Sequence, residues 1–301
     1  MSRSSNIARL KEIASKIAST YEDGVGVNPV EGENLPRRAE VIEVTEKLLE
    51  LVFPGFDRHA GTPNTVALLA EIGSDLSDQI CRAIRHAGGE CGCGGECGSA
   101  RCDEAVFSLL EALPEIRETA KLDVAAAYAG DPAATNNDEI ILSYPGVKAI
   151  TVQRLAHILY AAKVPLIPRM MTEYAHTLTG IDIHPGARLG RGIFIDHGTG
   201  VVIGETAVLG DNIRIYQGVT LGAGNFPKDA CGMLIKGLKR HPTIGNNVII
   251  YSGASVLGDV TIGDNSVIGG NVWLTESLPA GTKITARPPE NKLKFAKERK
   301  K

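Results

Sequence analysis

The sequence predicts an α+β protein in two parts: an N-terminal run of amphipathic helices, then a parallel β-helix wound from six-residue repeats. Three observations carry this. Apolar residues recur at helical spacing through residues 1–178, and after Gly180 the period changes to six. The composition also suits small regular coils: of 301 residues 34 are glycine and only 5% aromatic, while 43% are hydrophobic. Mean hydropathy is near zero, so a core of Val, Ile, Leu and Ala is expected rather than disorder.

The helical part opens with "NIARLKEIASKIASTY", which places Ile7, Leu10, Ile13, Ile17 and Tyr21 on one face. "AEVIEVTEKLLELVF" follows, with Pro54-Gly55 as its stop. "VALLAEIGSDLSDQICRAI", "AVFSLLEALPEIRETAKLDVAAAYA" and "AITVQRLAHILYAAKVPLIPRMMTEYAHTL" continue the pattern. Their apolar stripes are expected to be core, and His157 and His176 to be packed or surface residues rather than ligands. This region, 1–178, is expected to form a helical domain that drives oligomerisation. A Gly-rich insertion at 86–102 interrupts it, with Cys91, Cys93, Cys97 and Cys102, and with Cys81 and His86 upstream. So many thiols can hold zinc or an iron–sulfur cluster, although C-x-C-x₃-C-x₄-C is not a standard zinc spacing. The alternative is a thiol-bearing insertion with no metal.

After Gly180 the apolar positions are Ile183, Leu189 and Ile195, then, two residues late, Ile203, Leu209, Ile215 and Leu221. They resume at Ile244, Ile250, Val256, Ile262, Ile268 and Leu274. Four residues after each usually stands a small or β-branched residue, such as Ala187, Ile193, Thr199, Ala207 or Val219. Three hexads make one triangular coil with turns at its corners, and the aliphatics stack inward from coil to coil. The β-helix is expected over 179–278, with a long loop at 222–243 and a basic tail at 279–301. Residues 283–301 carry eight basic side chains against two acidic ones, a charge attractive to phosphates.

Composition excludes some functions. The net charge of −3 gives no nucleic-acid footprint. No run of about eighteen apolar residues suggests a membrane span. The polar N-terminus lacks the apolar centre of a signal peptide, which makes the cytoplasm the expected location.

The repeat explains Ile195 but not the neighbouring Asp196 and His197 of "IDHGTG". Asp182, fifteen residues earlier, is expected to be a neighbour of His197 on the adjacent coil. The two extra residues, taken as Val201-Val202, interrupt the repeat just after the pair. The long loop brings "KRHP", with Arg240 and His241, to the same prism. A histidine whose tautomer is fixed by a carboxylate is equipment for general-base catalysis.

The stretches "GIDIHPGARLGRGIFIDHGTGVVIGETAVLGDNIRIYQGVTLG" and "KRHPTIGNNVIIYSGASVLGDVTIG" resemble the serine O-acetyltransferases, near-continuously over residues 180–278. Weaker agreement runs upstream through residues 130–157. The resemblance implies a left-handed winding and transfer of an acetyl group from acetyl-CoA to L-serine in cysteine biosynthesis. It implies His197 as the base, Asp182 as its orienting carboxylate, and Asp131 with Asp196 around the substrate ammonium. Arg240 and His241 would clamp the carboxylate, while Gly222, Ser252 and Gly270 would lie against acetyl-CoA, a co-substrate and not a tightly bound cofactor. It also implies a trimer or dimer of trimers, and L-cysteine as feedback inhibitor. Relatives often bind cysteine synthase through a tail ending in isoleucine. This sequence ends "KERKK", so no such tail-mediated complex is expected: a lysine in an apolar pocket would bury an unpaired charge.

Three rival readings fit the residues less well. A hexapeptide-repeat acetyltransferase acting on a sugar or homoserine hydroxyl would share the base, but a sugar has no use for an ammonium and carboxylate clamp. A β-helical metalloenzyme would need three converging histidines, for which the prism offers only His184, His197 and His241. An idle partner-binding protein has no need of an Asp–His pair.

Overall fold

The computed structural model describes residues 3–21, 35–56, 64–88 and 100–287. Helix α1 (Arg3–Ser19) belongs to a compact unit of its own, Met1–Leu35. Its stripe, expected to be core, is exposed: Ile7 and Leu10 are 53% and 64% accessible.

The second unit, Pro36–Lys301, joins the remaining helices and the prism, so no break in packing falls at residue 178. Its helices are α2 (Arg38–Val52), α3 (Thr65–His86), α4 (Ala100–Gly130), α5 (Asn137–Ser143), α6 (Pro145–Ala161) and α7 (Ile167–Thr179). The last predicted helical run is divided into α6 and α7 by a corner where Lys163 and Leu166 take positive φ. Val41, Leu48, Ile72, Ile80, Leu109, Leu155 and Met171 share one buried core. Cys81 and Cys102 lie side by side in it. Cys102 is therefore part of α4 and not of a loop cluster, while Cys91, Cys93 and Cys97 lie outside the described residues.

From Asp182 the chain winds through three parallel faces. The first face holds β1 (Asp182–Ile183), β4 (Val202–Ile203), β7 (Thr220–Gly222), β10 (Ser255–Leu257) and β13 (Trp273–Leu274). The second holds β2 (Arg188–Leu189), β5 (Val208–Leu209), β8 (Thr243–Ile244) and β11 (Thr261–Ile262). The third holds β3 (Phe194–Ile195), β6 (Arg214–Ile215), β9 (Ile249–Ile250), β12 (Val267–Ile268) and β14 (Lys283–Ile284). Every strand pair is parallel and in register, as in Ile183↔Ile203 and Ile203↔Leu221. Strand β14 pairs with β12, so the prism runs past the expected boundary at 278. The thirteen sixth-residue positions form its core, with only Leu189 less than fully covered.

Docking of the helices onto the first coils is polar as well as apolar. Ala149 and Ile150 of α6 join the prism core. Gly146 lies so close that a Cβ there would stand 2.3 Å from the Ile195 carbonyl oxygen. The Arg154 guanidinium donates to Asp123 at 3.0 and 3.1 Å and to the Leu189 and Gly190 carbonyls at 3.2 and 2.6 Å. Asp123 also accepts the Ile193 N–H at 2.8 Å. Burial pushes the Asp123 carboxyl up, and Arg154 works against that rise. Breaking such a pair from one side strands a buried charge. Arg154→Met is therefore expected to lower stability by about 3–5 kcal/mol in urea unfolding, and Asp123→Leu added to it should recover part of the loss.

Candidate active site

The edge between the third and first faces has a regular turn. In successive coils it runs Tyr216-Gln217-Gly218, Tyr251-Ser252-Gly253 and Gly269-Gly270-Asn271, with Gly218, Gly253 and Asn271 at positive φ. The N–H of each of these residues donates to the edge residue one coil back: Gly218 to Thr199, Gly253 to Gln217, Asn271 to Ser252. This ladder aligns Thr199 with Gln217 and Asp196 with Tyr216. The two extra residues are thus His197 and Gly198, not Val201-Val202. Val201 is buried at the inward position and Val202 begins β4, whereas Thr199, expected inward, is exposed.

His197 therefore sits on a bulge at φ 57, followed by Gly198 at φ 81. A Cβ on Gly198 would stand 2.4 Å from Ile181 Cδ1, so only glycine fits beneath the bulge. The imidazole is 70% exposed and its Nδ1 stands 3.7 Å from Asp196 Oδ1. Asp131, just beyond α4, and Tyr144, the residue capping α6, complete this edge. Tyr144 donates its hydroxyl proton to Asp131 Oδ2, and the Ala133 N–H donates to Oδ1 at 2.8 Å. These two bonds hold the Asp131 carboxyl below the usual range, with a small contribution from His197. The same bond pushes the Tyr144 phenol up to about 12. This edge is anionic, with the exposed His197 imidazole in its middle.

The edge between the first and second faces carries the other predicted residues. Arg240 pairs with Glu205, whose second oxygen accepts the Tyr160 hydroxyl at 2.7 Å. Burial works against the Glu205 carboxylate, but Tyr160 and Arg240 outweigh it and hold it below its usual range. His241 is buried, and its Nδ1 accepts the Thr206 N–H at 3.1 Å, which assigns the proton to Nε2. Burial, with Arg240 next, pushes the His241 imidazole down to about 4. A Cβ on Gly204 would stand 2.1 Å from His241 Nε2. His184 accepts the Gly186 N–H through its Nδ1 and packs edge-on against Tyr160. Its imidazole too is pushed down, chiefly by burial. Arg240, paired with Glu205, and Lys239 thus stand beside two imidazoles that burial keeps neutral.

The structure brings together Asp131, Asp196 and His197, and separately Arg240 and His241. It does not join the two groups within one chain. The predicted Asp182–His197 hydrogen bond is absent among the described residues. Asp182 faces outward on the first face, where it pairs with Arg169 at 3.1 Å, and it acts electrostatically on His184. Its side chain therefore belongs with the Arg240 group. The residues expected to meet acetyl-CoA divide likewise: Ser252 and Gly270 lie on the His197 edge, Gly222 at the far end of the first face. The three histidines do not converge in one chain. Tyr144, Tyr160, Glu205, Thr206 and Arg169 were not singled out by sequence; Glu205 and Thr206 lie inside the stretch that carries the family resemblance. Glu173, His176 and Asp182 come within 4.8 Å of one another in the geometry of a possible metal site. Among the described residues no helix is long and apolar enough to cross a membrane.

A repeat family described as bacterial transferase hexapeptide (six repeats) matches residues 241–276. A plasmid-encoded serine acetyltransferase of Synechococcus elongatus is 57% identical over 187 residues, which are 62% of this chain and 59% of that protein. The match thus spans less than two thirds of that relative's length. The serine acetyltransferase of Helicobacter pylori strain 26695 is 50% identical over 153 residues, 50% of this chain and 84% of the relative. Among solved structures, serine acetyltransferase isoform 3 of Entamoeba histolytica, in complex with cysteine, matches with a TM-score of 0.70 and 36% identity. That match covers 84% of each chain.

The depressed His241 imidazole makes a signed prediction. Its folded value of about 4 lies below the ordinary His value, so the unfolded chain binds the extra proton first. The stabilisation is whole above pH ~6.5 and is lost as pH falls toward 4, by up to about 1.4 kcal/mol per pH unit. Chemical denaturation from pH 7 to 4 should show wild type losing more stability than His241→Gln. Parallel curves would contradict the buried neutral imidazole.

Proposed function

The chain belongs to the serine acetyltransferase family, and from that membership and the two edges we propose that it transfers the acetyl group of acetyl-CoA to L-serine. The products are O-acetyl-L-serine and CoA. The observation that carries this reading is the charge pattern: two carboxylates beside an exposed imidazole on one edge, and on the other a guanidinium, paired with Glu205, beside two neutral imidazoles. An amino acid presents the complementary pair. His197 takes the hydroxyl proton as the serine oxygen attacks the thioester carbonyl, and the tetrahedral adduct then expels the CoA thiolate, which the imidazolium reprotonates. A serine hydroxyl ionises far above pH 7, so the base must act in the transition state. The thioester is already activated, so none of these steps calls for a metal.

About four residues of extended chain, roughly 13 Å, separate the two edges across the first face. One serine cannot span that distance. The His197 edge of one chain therefore meets the Arg240 edge of the next, a head-to-tail contact that closes as a ring. Membership of the family makes three the closing number, as a trimer or a dimer of trimers. Asp182, on the Arg240 side, then reaches His197 from the neighbouring chain. Acetyl-CoA lies in the groove between chains, against Ser252 and Gly270 of one and Gly222 of the other. The stacked Tyr216 and Tyr251 rings, 5.3 Å apart, line the same edge. L-Cysteine carries both charged groups of serine, so it competes at the same site, in accord with the cysteine complex of the Entamoeba relative.

The test is thiol release from acetyl-CoA with L-serine, homoserine or a sugar as acceptor. Serine is expected to be strongly preferred. His197→Ala should lower kcat by about 10²–10⁴-fold with acetyl-CoA binding retained. Cysteine should raise the apparent KM for serine without lowering kcat. Normal turnover in His197→Ala, or cysteine inhibition that serine cannot overcome, would contradict the proposal. Asp131→Asn should act chiefly on the serine KM, since the ammonium stays bound throughout the reaction; a change in kcat alone would remove Asp131 from that role.

A further inference from the structure

We infer that Arg169, from the helical half, is a positioning residue for acetyl transfer: it fixes the Asp182 carboxylate in the orientation from which it serves His197. The inference rests on the role proposed above for Asp182. Arg169 lies near the start of α7, whose C-terminus is turned back by Gly180 at φ 72 to begin β1. That turn lays Asp182 against the helix. The Arg169 guanidinium donates to Asp182 Oδ1 at 3.1 Å, and its other amino group pairs with Glu173. Glu173 in turn stands 3.3 Å from His176 Nδ1.

A lone aspartate on a flat, solvent-facing strand would sample several rotamers. The ion pair with Arg169 uses Oδ1, so the other oxygen is available to an imidazole N–H. Arg169 is itself held from two sides by carboxylates, with side chains 40% exposed for Arg169 and 24% for Asp182. The guanidinium also fills the role a cation would play between Glu173 and Asp182. The grouping of Glu173, His176 and Asp182 is therefore better explained as a tether for Arg169 than as a metal site. A base misdirected by an ångström loses much of its rate, so a tether this far from the thioester can still govern kcat.

The charged groups around Asp182 are Arg169, Glu173 and His176 on α7, His184 two residues on, and Glu205 and Arg240 beyond it.

The experiment compares Arg169→Met and Arg169→Lys, each in the wild type and in Asp182→Asn, with melting temperature and light scattering as controls for fold and assembly. Arg169→Met should lower kcat about ten- to hundredfold and leave the acetyl-CoA KM unchanged. Arg169→Lys should recover much of the rate and keeps the test open if the methionine variant folds poorly. In Asp182→Asn, loss of Arg169 should cost nothing further. Wild-type kcat in Arg169→Met, or the same fall repeated in Asp182→Asn, would overturn the inference. Wild-type kcat in Asp182→Asn alone would overturn it through its premise, and is distinguishable for that reason.

Discussion

The inward ladder of aliphatic side chains constrains everything else in this molecule. Each face of each coil must send its sixth-residue side chain to the axis, and the cores of successive coils are continuous. Polar chemistry is left to the outward positions and the edges. The chain gains an exposed imidazole at this edge without breaking the ladder by inserting His197 and Gly198 between two residues that stay buried, Ile195 at 1% and Val201 at 0% accessibility. The imidazole is pushed out while the core on either side keeps its register.

The helical half does more than cover the end of the prism. The Arg154–Asp123 pair and the close approach of Gly146 set α4 and α6 over the first coil, and this places Asp131 and Tyr144 beside His197. Electrostatics then differ by edge. Hydrogen bonds keep Asp131 ionised on one side, and burial keeps His241 neutral on the other. A zwitterionic amino acid matches the pair of edges, whereas neither edge alone would hold both its charges.

The β-helix was legible because the period of six is a direct image of the coil, and all thirteen positions take part in the prism core. Asp196 and His197 were singled out because a polar residue that the repeat does not require stands out against it, and Arg240 because it lies in the loop that interrupts the repeat. The placement of the two extra residues was misjudged: counting apolar positions locates an insertion only to within a turn, whereas the hydrogen-bond ladder from Thr199 to Gly218 locates it by residue. Asp182 was assigned to His197 by sequence separation, which does not tell which edge of a face a side chain serves. Tyr144, Tyr160 and Arg169 left no signal because they lie in ordinary helical sequence and matter only through long-range partners. The stripe of α1 has the periodicity of a core helix without its burial, since periodicity reports a face and not what covers it.

The central claim is that serine is held between two chains, and it is tested most directly by mixing two defective proteins. His197→Ala and Arg240→Ala are purified separately, brought together under mild denaturant to exchange subunits, and assayed at a serine concentration where neither turns over. A shared site predicts that mixed rings regain activity, to roughly a quarter of wild type for equal parts and random exchange. No recovery, after exchange has been demonstrated by labelled subunits, would place His197 and Arg240 in the same chain's site and contradict the account.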